Sequence, residues 1–351
     1  MKFSPKVILA ILFIGTFVSI QAQRLGEFKP KDGGYKSSKI GEGSKKIYIA
    51  NFTINFEMYK EAVDKKAAGG FGRTVTSAAK AKAAIGLSSL DKDAIQAKAD
   101  KLYLEFVSDL KNKGYEILTA DQAGKTETYK GWKNAVGPSF HETDMTGILA
   151  VIPTGHSFYY RDRNAFSGTA SLFEKTAQNL SKDLDDALIA DVSLVYVFSE
   201  MGTDWNVSNQ ANVKIFVNYR LASSYGVSDE NTSAGLTSMF DKSKQAVGLS
   251  SYVNFTRGKL KIGGSPESQY IGTMKTDLDI EGVLKKEKVQ AFASKTSATA
   301  TLANPIVSVS GTNYSETTKW LNPDGKLYAE GMYMAGKKFI SAHLDEVFKN
   351  L

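Results

Sequence analysis

The chain has 351 residues, of which 42% are hydrophobic and 23% are charged, and it contains no cysteine. These proportions exclude a disordered, a collagen-like and a disulfide-stapled small protein. A chain of this length can bury a substantial core, so neither a disulfide nor a metal is needed to fold it, and its formal net charge of +7 makes it basic.

The amino terminus has the pattern of an export signal. Two lysines flank the start of a mostly apolar stretch over residues 7–20, which is too short for a comfortable membrane span. Ala22 provides a small residue of the kind that a signal peptidase requires. We predict that residues 1–22 are a signal peptide and that the mature chain begins at Gln23; an uncleaved amino-terminal anchor is the alternative. Export without cysteine is typical of the bacterial periplasm or outer envelope.

A basic segment follows the predicted signal peptide. From Arg24 to Lys46 there are seven basic residues and three acidic ones, and glycine, lysine and serine are frequent. Because the segment has little apolar periodicity, we predict a flexible basic arm over residues 23–46. Two interpretations stay open: the arm makes peripheral contact with an anionic membrane or polymer, or it is a solvated linker without a partner.

The first predicted elements alternate between strand and helix. Residues 46–56 alternate along the chain, which predicts a strand with at least one buried side. Residues 65–86 are dominated by alanine, glycine, lysine and threonine, and we expect an inserted loop there, with a weak helix within it as an option. A capping-box pattern begins at Ser88 and precedes apolar residues at three-to-four spacing, which predicts a helix that ends at Gly114. Residues 115–118 then return as a strand.

A second cycle of strand and helix follows. An apolar run predicts an interior strand over residues 147–152, and leucines on one face predict a helix over residues 169–189. Residues 191–198 are apolar on both sides, which predicts a strand covered on both faces. Apolar residues between Phe339 and Leu351 predict a terminal helix against the sheet. Four further runs predict antiparallel strands: residues 213–221, 252–257, 270–280 and 306–310.

The order of these elements predicts the fold class. We expect an α/β fold of the α+β variant, in which helices pack on a mixed sheet, because amphipathic helices and strands bury their apolar sides against each other. Residues 47–351 are predicted to form a single domain. Its carboxy-terminal half is predicted to be antiparallel and rich in strand around residues 200–310, and to end in the terminal helix.

The end of the predicted strand over residues 191–198 is one candidate binding site. Glu200 and Asp204 lie just beyond this strand, where α/β sheets often place ligands. Trp205 stands beside them in the sequence and offers a flat apolar surface. A polar turn over residues 204–212 is the simpler interpretation of the same residues.

A second candidate is an aromatic and basic run that contains Tyr159, Tyr160 and Arg161. Aromatic rings beside guanidinium groups can stack on sugars, on bases or on the side chains of a partner. Local pairing at a strand end is the alternative. A secreted protein is not expected to meet nucleic acid, so we predict contact with an envelope protein or polymer.

Few residues are suited to catalysis or to metal binding. The chain has three histidines and lacks cysteine, and the spacing of its histidines is not that of a zinc protease. It also lacks the glycine and serine pattern that surrounds the nucleophile of many hydrolases. We therefore predict no catalytic residue, no metal site and no cofactor.

Several of these pieces resemble a known domain. The opening strand contains the run Ile47-Tyr48-Ile49-Ala50-Asn51-Phe52, the first helix ends at Leu110, and Gly114-Tyr115-Glu116-Ile117-Leu118 returns as a strand. A strand pair over residues 190–201 and 213–221 completes the set. This order resembles the α/β domain shared by the TolB amino-terminal region and the curli-secretion channel family. The resemblance implies an envelope assembly or binding role, and a pore as a further option, although the acylated cysteine of the channel family is absent here.

Three functions follow as expectations. The first is an exported envelope protein that binds or assembles a partner and has no catalytic activity. The second is an exported hydrolase that uses carboxylates such as Asp144, Glu200 or Asp204, because a carboxylate pair can perform acid and base chemistry without histidine or cysteine. The third is a pore-forming homo-oligomer of the outer envelope.

Overall fold

The computed structural model describes residues 23–66, 79–143, 145, 147–161, 175–202, 212–227, 247–258, 266–292 and 318–349. The predicted signal peptide and the predicted strand over residues 306–310 lie outside these ranges, as does nearly all of the predicted turn over residues 204–212. Within the described ranges, every helix is too short or too polar to cross a membrane.

Strands outnumber helices in the described residues, which confirms a mixed α/β fold that is rich in strand. The helices are α1 (Lys92–Asn112), α2 (Ala120–Gly124), α3 (Thr176–Asp183) and α4 (Gly325–Val347), with a short 3₁₀-helix at Ser37–Lys39. The strands are β1 (Arg24–Leu25), β2 (Pro30–Gly33), β3 (Lys46–Glu57), β4 (Tyr59–Lys66), β5 (Ala79–Leu87), β6 (Glu116–Leu118), β7 (Lys133–Val136), β8 (Ser139–Glu142), β9 (Ile148–Ile152), β10 (Ser157–Tyr160), β11 (Leu188–Met201), β12 (Asn212–Leu221), β13 (Ser224–Val227), β14 (Val247–Ser250), β15 (Tyr252–Arg257), β16 (Ser268–Met274), β17 (Leu278–Glu281), β18 (Lys288–Phe292) and β19 (Thr318–Leu321).

The main sheet is built around β11. β3 runs parallel to one edge of β11, from the pair Ile47 and Leu188 to the pair Phe56 and Tyr196. β15 and β12 follow one another along the other edge, and both are antiparallel to β11. β6 and β9 extend the sheet beyond β3, while β16, β17 and β18 extend it beyond β15 and β12. The sheet is therefore mixed, with its parallel pairs at β3.

The predicted flexible arm is instead an edge of this sheet. β1 pairs with β17 and β2 pairs with β16, both antiparallel, so residues 24–33 follow one edge. Between these strands Phe28 packs against Phe339 of α4, with ring centroids 5.9 Å apart. All four residues of β2 are exposed. An exposed edge strand needs no apolar alternation and is commonly protected by lysine and proline, which explains why the sequence pattern resembled a linker.

The predicted loop over residues 65–86 is wrong where the structure describes it. Residues 79–87 form β5, which pairs antiparallel with β4 and parallel with β19 in a separate three-stranded sheet. Ala81 and Ala83 of β5 are buried in the core, which also includes residues of β12. Alanine is depleted in strands, so its frequency argued against a strand. Here the small side chains let β5 lie close to β12.

The predicted helices that pack on the main sheet are present with shifted ends. The N-cap of α1 is Asp91, whose Oδ1 accepts a hydrogen bond from the Ala94 N–H at 2.9 Å, and Ser88 lies outside the helix. The terminal helix α4 begins at Gly325, well before the first apolar residue used to predict it, and Asp324 is its N-cap. Carboxylate caps satisfy the free N–H groups at both helix starts.

The predicted helix over residues 169–189 is shorter in the structure. Within the described residues α3 ends at Asp183, and β11 already begins at Leu188. Asp185 and Asp186 between them have positive φ values of 55° and 62°, a conformation that interrupts a right-handed helix. The apolar residues at the end of the predicted helix therefore belong to a strand.

The predicted strand over residues 270–280 is two strands, β16 and β17, separated at Asp277. The Asp277 carboxylate accepts a hydrogen bond from Arg220 Nε at 2.7 Å and another from the Ser223 N–H at 2.7 Å. Burial alone would raise the pKa of Asp277, but these hydrogen bonds and the Arg220 charge lower the pKa below its usual value. The break in the strand is thus held by an ionised carboxylate.

The two faces of the main sheet have different covers. α1 and α4 pack against each other on the face that we call the helix-covered face. Gly336 of α4 allows this approach, because a Cβ atom there would lie 2.7 Å from Tyr196 Oη and 2.8 Å from a methyl of Leu102. The other side, which we call the opposite face, contains two smaller apolar clusters, one beside α2 and α3 and one around Tyr225.

Candidate functional site

Polar side chains of β3 and β11 occupy the opposite face between its two apolar clusters. We call the following residues the polar stripe: Asn51, Thr53, Asn55 and Glu57 of β3, with Asp191 and Ser193 of β11. Thr53, Asn55, Glu57 and Ser193 are buried. Asn51 Nδ2 donates to Asp191 Oδ1 at 2.9 Å, which joins the two strands through their side chains. Buried polar groups at this density must be hydrogen-bonded or cost stability.

Glu57 closes a β-bulge at one end of the polar stripe. The register of β11 against β12 shifts between Val197 and Ser199. Glu57 is fully buried, and its Oε2 accepts hydrogen bonds from the N–H groups of Phe198 and Ser199, each at 2.9 Å. Its Oε1 accepts hydrogen bonds from the hydroxyls of Ser199 and Tyr225. Burial raises the pKa of Tyr225 well above its usual value, and the nearby Glu57 charge raises it further. This carboxylate is fully engaged by structural donors.

A second bulge lies at the other end of the polar stripe. The register of β3 against β11 shifts between Ala190 and Asp191, which leaves Ala50 without an opposite residue. The N–H of Phe52 donates to His156 Nε2 at 3.0 Å. His156 is buried, and burial lowers its pKa to about 3. Its imidazole is therefore neutral and serves as a hydrogen-bond acceptor for the backbone.

Four aromatic rings and one guanidinium group lie beside this end of the stripe. Tyr129 is stacked on Tyr159, with ring centroids 4.5 Å apart. Tyr129 also contacts Trp132 at 5.0 Å and Tyr48 at 6.3 Å between centroids. The Arg161 guanidinium lies 4.7 Å from the centroid of the Trp132 ring, within range of a cation–π contact. We call these five residues the aromatic cluster.

Local structure fixes the aromatic cluster against the sheet. The Tyr159 hydroxyl donates to the carbonyl of Ala120 at 3.1 Å. Gly124 leaves room for this hydroxyl, because a Cβ atom there would lie 2.2 Å from it. The loop after α2 is tied to α3 by Thr128, whose hydroxyl donates to the Asp183 carboxylate at 2.7 Å. The antiparallel pairing of β10 with β7 positions the backbone of residues 157–160, which includes Tyr159.

The aromatic cluster and the polar stripe are electrostatically connected. Burial raises the pKa of Tyr129 well above its usual value, and the nearby Tyr48 and the Asp191 charge raise it further. Burial likewise raises the pKa of Tyr252, and Asp191 acts in the same direction. These phenols are therefore protonated at neutral pH and can act as hydrogen-bond donors.

Three side chains at this junction contain enclosed polar atoms without a hydrogen-bond partner. The atoms are the Tyr48 hydroxyl, Asn51 Oδ1 and Trp132 Nε1. An enclosed polar atom without a partner costs about 1–3 kcal/mol of stability. Folded proteins retain such atoms where water or a ligand satisfies them, or where function requires them. A polymer cannot reach these enclosed atoms directly, but the half-buried Trp132 and the exposed Arg161 lie beside them and make this junction the first candidate for a binding site.

The predicted run of residues 159–161 divides between two sides of β10. Tyr159 and Arg161 belong to the aromatic cluster. Tyr160 is instead half-buried on the other side of the strand, where it stacks with Phe158 at 6.4 Å between ring centroids. A strand alternates its side chains, so three consecutive residues cannot all face one ligand.

The other predicted site is a shallow groove at the end of β11. Glu200 is exposed there, and the groove has a volume of about 470 Å³. Phe216, Glu287 and Lys288 also line it. Glu287 forms an ion pair with Lys319 at 2.6 Å. Three other predicted residues lie outside the described residues: Asp144, Asp204 and Trp205.

Several residues of the site escaped the sequence analysis. Tyr129 and Trp132 lie in a polar loop after the five-residue helix α2. In the sequence, only the three-residue spacing of these two aromatic residues indicated that their rings contact each other. Asn51 and Asp191 begin a run of alternating polar residues in strands that are apolar on their other side. These polar residues indicated that one face of each strand does not pack against an ordinary apolar layer. A strand that is covered on both faces by apolar residues needs no polar side chains.

The described histidines are engaged in structural contacts. His343 Nδ1 and the Tyr270 hydroxyl are 2.8 Å apart in the core, and His141 Nε2 lies 2.8 Å from Ser139 Oγ. Within the described ranges, no group of three or more histidine, aspartate or glutamate side chains is placed to hold a metal ion.

Comparison with known proteins gave no match. No family model matches the chain, and neither a curated protein nor a solved structure matches it. The function is therefore inferred from the residues of the site.

Proposed function

We propose that the chain is an exported, non-catalytic binding protein of the bacterial envelope, and that the aromatic cluster holds a polymer built of sugar rings. The supporting observation is that the half-buried rings of Trp132 and Tyr159 pack on the buried pair Tyr48 and Tyr129, with the exposed Arg161 beside them. Aromatic faces bind the apolar faces of sugars, and adjacent polar groups bind their hydroxyls. The export pattern of residues 1–22 and the resemblance described above favour an envelope role.

The state of the nearby titratable groups favours binding over turnover. The Glu57 carboxylate accepts four hydrogen bonds from protein groups and is fully buried. His156 accepts a backbone hydrogen bond, and its pKa of about 3 keeps it neutral. A general base needs an accessible lone pair and a pKa near the working pH. The Glu57 oxygens and His156 Nε2 are occupied by protein donors, and the pKa of about 3 leaves His156 too weak a base near neutral pH.

The scaffold in this proposal is a single domain of the α+β type over residues 47–351. A mixed sheet with packed helices forms its base, and an antiparallel half rich in strand completes it. A rigid sheet positions side chains more closely than a free loop does. The cluster rests on β3 and β10, with α2 and α3 beside it.

Binding of the mature chain to insoluble envelope polysaccharide tests the proposal. We expect Trp132→Ala to weaken binding about tenfold or more, since it removes an aromatic face and the surface on which Arg161 lies. Tyr160→Ala is the matched control, because it removes a ring from the same segment on the other side of β10. Equal binding by both variants and the parent, or no retention of the parent by any envelope polysaccharide, would contradict the proposal.

The carboxylate-dependent hydrolase is a second candidate, and one observation favours it. Glu200 and Glu287 line the same groove, and a pair of carboxylates can act as acid and base. Assays of the parent and of Glu200→Gln with a panel of glycans and esters test this function. Turnover by the parent that is lost in Glu200→Gln would support the hydrolase function. Identical background rates in the parent and the variant would exclude a hydrolase function at this groove.

A further inference from the structure

We infer that the ligand of the aromatic cluster bears carboxylate groups and that Arg161 binds them; this inference rests on the proposed function. Arg161 is exposed, and among hydrogen bonds, ion pairs and ring contacts with the described residues it makes only the cation–π contact with Trp132. Within the described ranges its N–H donors have no carboxylate partner. A guanidinium group in this state has its hydrogen-bonding capacity available for an incoming anion.

Two other arginines show how this chain uses a guanidinium for structure. Arg220 is buried and donates to Asp277 at 2.7 Å and to a backbone carbonyl at 2.9 Å. Arg257 is also buried, and it donates to the carbonyls of Ser44 and Asp186. Arg161 is exposed and has no acceptor among the described residues, which sets it apart from a structural role.

The chemistry of a stacked guanidinium selects the ligand class. Its planar N–H donors match the two oxygens of a carboxylate and form short, charge-assisted hydrogen bonds. Contact with the Trp132 indole restrains the Arg161 side chain, so less freedom is lost when the anion binds. Trp132 and Tyr159 are the half-buried rings of the cluster, so a sugar ring against their exposed parts would lie beside Arg161 and its carboxylate could reach the guanidinium. The ligand is therefore an acidic polysaccharide rather than a neutral one.

Polygalacturonate and its methyl ester provide a direct test, since they share a sugar backbone and differ in charge. We expect the mature chain to bind polygalacturonate about tenfold more tightly than the ester at low salt, because hydrogen bonds to a charged group are lost with the ester. Arg161→Ala should reduce this preference to about twofold or less, and Arg161→Lys should restore part of it. Lys130→Ala is the charge-matched control, since Lys130 is exposed and its ion pair is with Glu127 at 3.4 Å; its preference should equal that of the parent.

The outcomes separate this inference from the proposed function. Equal binding of both polymers by the parent, with Trp132→Ala weakening both, would overturn the carboxylate inference and leave glycan binding supported. A preference for the acid that survives in Arg161→Ala would also overturn it, since another group would then supply the charge. If the parent binds neither polymer, both this inference and the proposed function fail for acidic glycans. A thermal unfolding midpoint equal to that of the parent shows, for each variant, that the change in binding is not caused by unfolding.

Discussion

Alternate residues of β3 and β11 point to opposite sides of one sheet, and the two sets differ in chemistry. On the opposite face, residues 51–57 of β3 and 191–193 of β11 present the amides, hydroxyls and carboxylates of the polar stripe, most of which are buried. On the helix-covered face they are apolar or aromatic and lie in one core with α1 and α4. The residues of this second set are Phe52, Ile54, Phe56, Val192, Leu194 and Tyr196.

The two faces are expected to contribute differently: the helix-covered face to the stability of the fold, and the opposite face to binding. Full burial of an aliphatic or aromatic side chain contributes roughly 1.5–3 kcal/mol, so the helix-covered face stabilises the sheet strongly. This gain allows the opposite face to enclose polar atoms that lack partners. We therefore expect stability to depend mainly on the first face and binding on the second.

Glu57→Ala should produce the largest effect, and it tests whether the opposite face is also needed for folding. The variant leaves the buried N–H groups of Phe198 and Ser199 and the Tyr225 hydroxyl without their acceptor. We expect a loss of about 3–5 kcal/mol in the free energy of unfolding, because each buried donor that is left without an acceptor costs about 1–3 kcal/mol. Urea unfolding followed by circular dichroism measures it.

Glu61→Ala is the matched control for that experiment. Glu61 lies in β4, where its carboxylate pairs with Lys82 at 2.9 Å and accepts a hydrogen bond from the Tyr59 hydroxyl at 2.9 Å, and both charged side chains are partly exposed. We expect a loss of about 1 kcal/mol or less, since ion pairs near solvent contribute little. Equal losses in the two variants would mean that the bulge at Phe198 does not depend on the Glu57 carboxylate.

The sequence predicted the helix-covered face better than the opposite one. The strands around residues 46–56, 191–198 and 213–221 are confirmed because their apolar residues follow the two-residue period of a strand. β2 and β5 were missed for two different physical reasons. One is an exposed edge and the other is rich in alanine, so neither has the apolar alternation on which the prediction depends.

The site was harder to predict because its residues come from distant parts of the chain. Tyr159 and Arg161 were found through the local run of rings and charge. Tyr129, Trp132 and Asp191 join them only through the pairing of β10 with β7 and the packing of α2 beside β3. No local pattern specifies such contacts, since they depend on tertiary structure.

Acid should destabilise the fold by an intermediate amount through His156. Its pKa is about 3 in the folded chain against 6.5 for an unperturbed histidine, because burial disfavours the charged imidazole. Below pH 6.5 the unfolded chain therefore binds a proton that the folded chain does not, and stability falls until the pH reaches about 3. Between pH 8 and pH 5 the expected loss is about 2 kcal/mol.

His156→Asn isolates this contribution, because an amide oxygen can still accept the Phe52 N–H but does not titrate. Urea unfolding at pH 8 and pH 5 should give a smaller loss in the variant than in the parent, by about 2 kcal/mol. Burial also lowers the pKa of His343, which therefore adds a loss of the same sign in both proteins. An unchanged difference between the two pH values would show that His156 is accessible to protons in the folded chain.

Tyr48→Phe should have the smallest effect on stability and separates the two faces most directly. The Tyr48 hydroxyl is enclosed on the opposite face without a hydrogen-bond partner, so its removal should change the free energy of unfolding by about 0.5 kcal/mol or less, or raise it. Tyr196→Phe on the helix-covered face is the matched control. Its hydroxyl donates to the Met332 carbonyl at 2.7 Å, so we expect a loss of about 1 kcal/mol. An equal loss of stability in both variants would mean that the Tyr48 hydroxyl has a hydrogen-bond partner in solution and that the two faces bury polar groups at the same cost.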